Sequence, residues 1–269
     1  LLPYLLEFAK QLEYEVKLEM GEIGEEMSRD EVKEFASRLK LHSNWKPIQI
    51  RDYQEDAVFD AINGGRTLLL SPTASGKSLI IYNLARYHHA LGRKQLIVVP
   101  TTSLVEQMYG DFADYSTHNG FDVSKYCHRI YGGKEKTNKA DIVISTWQSI
   151  YKYPKKWFEE FDVVYGDEAH LFKAKSLMTL MDKCTNARFR IGTTGTLDGT
   201  KTHRLVLEGV FGKVYKVTTT KKLMDKKELA DLKIVCMLVE YPDEERKLVS
   251  KMPYKEEMDF LIGHAGRND

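Results

Sequence analysis

Five short apolar runs, TLLLS (67–71), QLIVVP (95–100), DIVIST (141–146), DVVYGD (162–167) and FRIGTT (189–194), recur along the chain, with stretches long enough for helices between them. Runs that are apolar throughout, rather than on alternate residues, suit strands buried on both faces. Such strands alternating with helices build a parallel sheet covered by helices on both sides, and these sheets bind ligands at the carboxyl ends of their strands. Each run ends in a polar cluster, so the α/β reading also says where a site should lie. Upstream, residues 1–42 are acidic and helical in pattern. Ser28 and Glu31 have the spacing of a capping box, followed by Val32, Phe35, Ala36 and Leu39 at helical intervals. HSNWKPIQ (42–49) reads as a linker. Past residue 213 come KVYKVTT (213–219), LKIVCMLVEY (232–241) and a charged tail of helical pattern (243–261).

Bulk numbers exclude more than they assign. With 40 basic and 39 acidic residues among 269, overall charge gives no argument for a nucleic-acid partner, which must come from local groups. The three cysteines, Cys127, Cys184 and Cys236, lie far apart with no C-x-x-C pair, which argues against a zinc site and suits a reducing, cytoplasmic compartment. No apolar run approaches the ~18 residues of a membrane span. The opening LLPYLLEFAK lacks an initiator Met and a charged n-region, and reads as a fragment boundary rather than a signal peptide.

The stretch SPTASGKS (71–78) nearly spells the phosphate loop G-x-x-x-x-G-K-[ST], with Ser71 at the first glycine. It follows an apolar strand and precedes the helical pattern Leu79, Ile80, Tyr82, Leu84, Ala85, the context that a phosphate loop requires. Backbone N–H groups of Thr73, Ala74, Ser75 and Gly76 and the helix N-terminus would hold phosphates. Lys77 would reach the β- and γ-phosphates, and the Ser78 hydroxyl would bind Mg²⁺. Ser71 suits the loop if its backbone angles are those of an ordinary residue. A second carboxylate site comes from YGDEAH (165–170). There Asp167 can hold Mg²⁺ at the end of its strand, and Glu168 can orient or deprotonate a water.

In this ordered set the chain resembles the superfamily 2 helicases. Asp167-Glu168-Ala169-His170 is similar to their DExH motif, and Ser71–Ser78 to their phosphate loop, with Ala74 where many members carry glycine. IRDYQEDAV (50–58) resembles the Q motif, which implies that Gln54, with Arg51 beside it, reads the adenine edge. VVPTTSLVEQM (98–108), YGGK (131–134) and STWQSI (145–150) resemble the motifs that touch the sugar-phosphate backbone of one strand. The resemblance places Thr101, Thr102, Gly132, Gly133, Thr146 and Gln148 on that path; by residue type alone the threonines and Gln148 are equally ordinary helix caps. GTTGTL (192–197) resembles the coupling motif, with the Thr194 and Thr196 hydroxyls linking the acidic pair to the strand and His170 as their contact.

The resemblance implies a RecA-like parallel sheet with helices on both faces, preceded by a small helical remnant. Residues 1–42 would end a truncated DNA-binding domain, 43–240 would form the first RecA-like domain, and 241–269 would lead towards a second. It implies ATP and Mg²⁺ as cofactors, with Lys77, Asp167 and Glu168 as the catalytic set. The expected partner is DNA, single-stranded or branched, or an RNA–DNA hybrid, with no membrane partner and a monomeric state. Within the superfamily the resemblance is strongest to phage recombination helicases that remodel junctions, D-loops and R-loops. An RNA helicase and an ATP-gated nucleic-acid clamp remain the alternatives; Glu168 argues against the clamp. Arginine fingers come from the second domain in this family, so the chain alone is expected to bind ATP and hydrolyse it near background.

Overall fold

The chain enters through helices α1 (Leu2–Gln11) and α2 (Arg29–Arg38) in a computed structural model that describes residues 2–16, 24–132, 140–197, 201–230, 235 and 240–264. The capping box at α2 is formed: the Glu31 amide donates to Ser28 Oγ at 3.2 Å and the Ser28 amide donates to Glu31 Oε2 at 2.7 Å. Residues 42–49, expected as a linker, instead contain a short hairpin, β1 (His42–Ser43) against β2 (Lys46–Pro47). Asn44 and Trp45 both take positive φ, +50° and +65°, the geometry of a type I′ turn. Asn supplies that turn readily and Trp does not, which hid the hairpin from a residue-type reading.

The remaining elements of the first part alternate as expected. They are α3 (Asp52–Gly64), β3 (Arg66–Leu70), α4 (Lys77–Ala90), β4 (Gln95–Val99), α5 (Thr102–Tyr115), α6 (Val123–Tyr126), β5 (Cys127–Ile130) and β6 (Ile142–Thr146). There follow α7 (Trp147–Ile150), α8 (Lys155–Phe158), β7 (Val163–Gly166), α9 (Ala174–Lys183), β8 (Phe189–Thr194), α10 (Lys201–Phe211), β9 (Lys213–Lys216) and α11 (Thr220–Asp225). Strands β3 to β9 make one seven-stranded sheet in the order β5-β6-β4-β7-β8-β3-β9, every pair parallel.

Strand residues alternate between two cores. Leu69, Ile97, Val99, Ile142, Ile144, Val163, Tyr165 and Ile191 point to the face covered by α3, α4 and α5. Leu68, Leu96, Val98, Val143 and Val164 point to the face covered by α7, α8, α9 and α10. The sheet is therefore buried on both sides, which is why its central strands read as unbroken apolar runs. Helix α10 approaches closely: a Cβ on Gly166 would lie 2.6 Å from the Phe211 ring, and one on Gly192 2.8 Å from it. Among the described residues no helix is long and apolar enough to cross a membrane.

The chain divides into two units, Leu1–Leu229 and Ala230–Asp269. In the second, Pro253 separates α12 (Asp243–Val249) from α13 (Tyr254–Gly263), and Tyr241, Phe260 and His264 cluster, with His264 Nε2 3.0 Å from Glu245 Oε2. Most of the apolar run 232–241 lies outside the described residues.

Candidate nucleotide site and strand-end surface

The phosphate loop joins β3 to α4 and is held from within. Ser71 is fully buried and does not take a positive φ; its Oγ lies 2.6 Å from Ser75 Oγ, which donates to the Pro72 carbonyl at 2.5 Å. The serine at the first glycine position is thus a structural brace. Ala74 takes φ +64°, a left-handed conformation that suits the glycine of other loops and costs an alanine roughly 1–2 kcal/mol. Gly76, the N-cap of α4, has φ +78°, and a Cβ there would lie 2.3 Å from Gln54 Nε2.

That contact locates the Q-motif glutamine. Gln54 is 2% exposed; its Nε2 donates to the Ser75 carbonyl at 2.8 Å and its Oε1 accepts from the Arg51 amide at 2.9 Å. One amide hydrogen and one lone pair remain for a base edge. Arg51 donates from Nη1 to Tyr53 Oη at 2.8 Å and lies 3.3 Å from Glu228 Oε2, while Lys226 pairs with Asp52 at 3.0 Å. The segment after α11 is therefore strapped to the first turn of α3.

The acidic pair ends β7. Asp167 is buried, its amide donates to the Val98 carbonyl, and Oδ1 accepts from Thr193 Oγ1 at 2.5 Å. Burial pushes its carboxyl up, against the lowering effect of the Thr193 bond. Glu168 takes φ +47° and lies 3.0 Å from Lys77 Nζ and 3.3 Å from His170 Nδ1. Lys77, paired with Glu168, is only 12% exposed at its side chain. His170 Nδ1 lies 2.8 Å from Thr194 Oγ1, and Thr194 donates to the Thr196 carbonyl at 2.8 Å. Since the Thr194 hydrogen is committed, His170 supplies Nδ1–H to the threonine oxygen. Thr196 enters this relay through its backbone and not, as expected, through its hydroxyl.

Loop and acidic pair open on a cleft of about 250 Å³ lined by Thr73, Ala74, Gly76, Lys77, Ser78, Asp167 and Glu168. Helix α5 supplies its other wall with Leu104, Gln107, Met108 and Asp111, one helical stripe. Ser78 Oγ lies 2.9 Å from Tyr115 Oη, and Asp111 lines the same cleft. Burial pushes the Asp111 carboxyl up and the Tyr115 hydroxyl up to about 12. Residue reading missed Asp111, Tyr115 and Thr193; the signal for Asp111 was an acid on the stripe that carries Leu104 and Met108. A larger hollow, about 680 Å³, runs between α2, the hairpin and Ile48–Ile50, and no phosphate-loop residue lines it.

The candidate strand-contact residues follow β4, β5 and β6, adjacent strands at one side of the sheet, whereas the nucleotide residues follow β3 and β7. Thr101 caps α5 by accepting from the Leu104 amide at 3.3 Å; Thr101, Thr102, Gly132 and Gln148 are exposed. Thr146 differs: it is 3% exposed and its hydroxyl lies 2.8 Å from Ser149 Oγ, so it shapes the turn into α7 beneath Gln148. Gly133 lies outside the described residues.

A phosphate loop facing a DExH acidic pair on a RecA-like sheet defines a nucleotide-binding domain of the helicase class. The chain belongs to the family described as "Type III restriction enzyme, res subunit", whose pattern matches residues 47–199. It is 38% identical over 249 residues to the ATP-dependent DNA helicase uvsW of Enterobacteria phage T4, an alignment that covers 91% of this chain and 49% of that protein. It is 28% identical over 149 residues to the DNA 3'-5' translocase XPB2 of Sulfurisphaera tokodaii, covering 55% of this chain and 31% of that one. Two crystal structures of T4 UvsW superpose with TM-scores of 0.73 and 0.74 at 35% and 34% identity, covering 80% and 99% of this chain and 77% and 53% of theirs. The Hef helicase domain of Pyrococcus furiosus, at 20% identity and a TM-score of 0.53 over 63% of this chain and 38% of its own, shares the fold. The chain thus spans about half the length of the phage relative.

Proposed function

We propose that this chain is the ATP-binding part of an ATP-driven DNA helicase or translocase that remodels branched DNA. The observation that carries the reading is the Lys77–Glu168 pair at 3.0 Å, beside buried Asp167 and Ser78 in one cleft. The lysine of the phosphate loop and the general-base candidate are thus charge partners within one cleft. The donor set suits Mg²⁺, a hard cation that takes oxygen ligands and keeps several waters. Asp167 and Ser78 would hold it, and its chemistry there would be to neutralise negative charge on the nucleotide phosphates.

Lys77 would leave Glu168 for the phosphate oxygens, freeing the Glu168 carboxylate to accept a proton from the attacking water. His170 touches both Glu168 and Thr194, so a change at the base is felt at the end of β8. Thr101, Thr102, Gly132 and Gln148 would hold a strand through its backbone, which carries no base identity. DNA as the nucleic acid is supported by the likeness to the phage DNA helicase and to the DNA translocase XPB2, and branched DNA by the motif resemblance alone. Calorimetry on the purified chain tests the nucleotide site. Wild type is expected to bind ATP in Mg²⁺ and Lys77→Ala to lose that binding while keeping its circular dichroism; unchanged affinity in the variant would overturn the reading.

A further inference from the structure

Helix α11 ends in a turn that carries a carboxylate back to the first turn of α3. Lys227 takes φ +58°; its amide donates to the Met224 carbonyl at 2.8 Å, and the Glu228 amide donates to the Leu223 carbonyl at 2.9 Å. These are the two bonds of a Schellman cap, here with a lysine at the left-handed position that favours glycine. Leu223, buried, anchors the short helix, and Lys226 Nζ donates to Asp52 Oδ2 at 3.0 Å. Glu228 Oε2 then lies 3.3 Å from Arg51 Nη1 and 3.5 Å from Tyr53 Oη.

Hydrogen bonds join what Glu228 meets there to the phosphate loop. Arg51 Nη1 donates to Tyr53 Oη at 2.8 Å, and Tyr53, itself buried, donates to the Ser75 carbonyl at 3.2 Å. The same carbonyl accepts from Gln54 Nε2 at 2.8 Å. Both contacts of the guanidinium use Nη1, one corner of a planar fork of five donors. A long arginine side chain loses rotamer freedom when a ligand orders it, and holding it in advance removes that cost. The Arg51 side chain is 41% exposed and that of Glu228 22%. An ion pair so open to water adds little stability, so its effect lies in where it puts the guanidinium. We infer that Glu228 is a positioning residue of the nucleotide site: it holds the Arg51 guanidinium on the side of the phosphate loop that Gln54 braces, ready for a purine base, and so favours ligands that carry a base over bare phosphates. A purine edge offers a ring-nitrogen acceptor that such a donor can meet.

The inference rests on the nucleotide reading above, and one pair of titrations separates the two. The chain is titrated by calorimetry in Mg²⁺ with ADP and, by displacement of ADP, with inorganic pyrophosphate; the ratio of the two affinities is the readout. Glu228→Ala is expected to cut that ratio from a few-fold to about tenfold, by weakening ADP binding and leaving pyrophosphate binding as it was. A loosened phosphate loop would instead weaken both ligands together. Glu228→Ser, also uncharged, gives the same reading should the alanine variant fail to fold. In an Arg51→Ala background the Glu228 change should have little further effect, since residues that act through one another are not additive. A folded, uncharged Glu228 variant with the wild-type ratio overturns the inference, as does a full effect that persists without Arg51. If Lys77→Ala binds both ligands as tightly as wild type, it is the nucleotide reading that fails.

Discussion

At the scale of single residues, adjacent acids do different work because their surroundings differ. Asp167 is buried and hydrogen-bonded; Glu168, in a left-handed backbone conformation, reaches Lys77 and His170. Asp167→Asn is expected to weaken Mg²⁺-dependent nucleotide binding. Glu168→Gln should retain binding and slow hydrolysis by roughly 10²- to 10⁴-fold, measured as steady-state phosphate release by the protein at its natural length; normal turnover in that variant would remove Glu168 from the base role. His88 on α4 offers a pH test. Burial, with the neighbouring Arg93 charge adding to it, lowers its pKa to about 3. Arg93 can only donate, so at 2.9 Å His88 Nδ1 accepts and the ring is the neutral Nε2–H tautomer. Because the unfolded chain binds this proton more readily, folding stability should fall as pH drops from about 6.5 towards about 3. The effect is on the order of 1 kcal/mol per pH unit. Urea melts of wild type and His88→Gln across that range check it: the difference between their slopes should carry this sign, and parallel slopes would refute it.

At the scale of elements, legibility followed burial and sequence distance. The five apolar runs all became strands because a parallel strand buried on both faces announces itself locally. β5 did not: CHRI buries only its first and last residues at the sheet edge, and its polar middle resembles loop. The phosphate loop and acidic pair were legible because each is a local motif. Helix α5 was read for its N-terminal threonines, and its contribution to the cleft was not, since a helix stripe gains meaning only from what it packs against. The burial of Thr146, a candidate strand contact or helix cap, was hidden for a similar reason: a strand-end hydroxyl looks the same in sequence whether Ser149 covers it or water does. The grouping of β4, β5 and β6 carries a prediction. Thr102→Ala and Gln148→Ala should each weaken single-stranded DNA binding from a few-fold to about tenfold, the loss of ~0.5–1.5 kcal/mol for a hydrogen bond, with nucleotide affinity unchanged. Anisotropy titrations with strands of different sequence at one salt concentration should agree closely, and affinity should fall as salt rises; a strong base preference would count against a backbone-tracking surface.

At the scale of the whole molecule, the sheet order separates the candidate nucleotide residues from the candidate strand contacts. One side ends in the phosphate loop and acidic pair, the other in exposed threonines and Gln148, and the His170–Thr194 contact ties the ends of β7 and β8 together. The same order has a consequence for how the protein is made. Among the described residues β3 pairs only with β8 and β9, so the strand that carries the phosphate loop has no sheet partner until Phe189–Thr194 has left the ribosome. At ~5–20 residues per second, the loop sequence waits several seconds as a strand without a sheet, while β4, β5, β6 and β7 can already pair among themselves. ADP should therefore protect a chain ending at residue 229 from proteolysis and give none to a chain ending at residue 188; protection of the shorter chain would show that the loop assembles without its neighbours. Nucleotide would then act as a folding ligand only after Phe189–Thr194 has been made, so a nascent chain stalled before that strand carries the whole phosphate-loop motif without a place to put a phosphate.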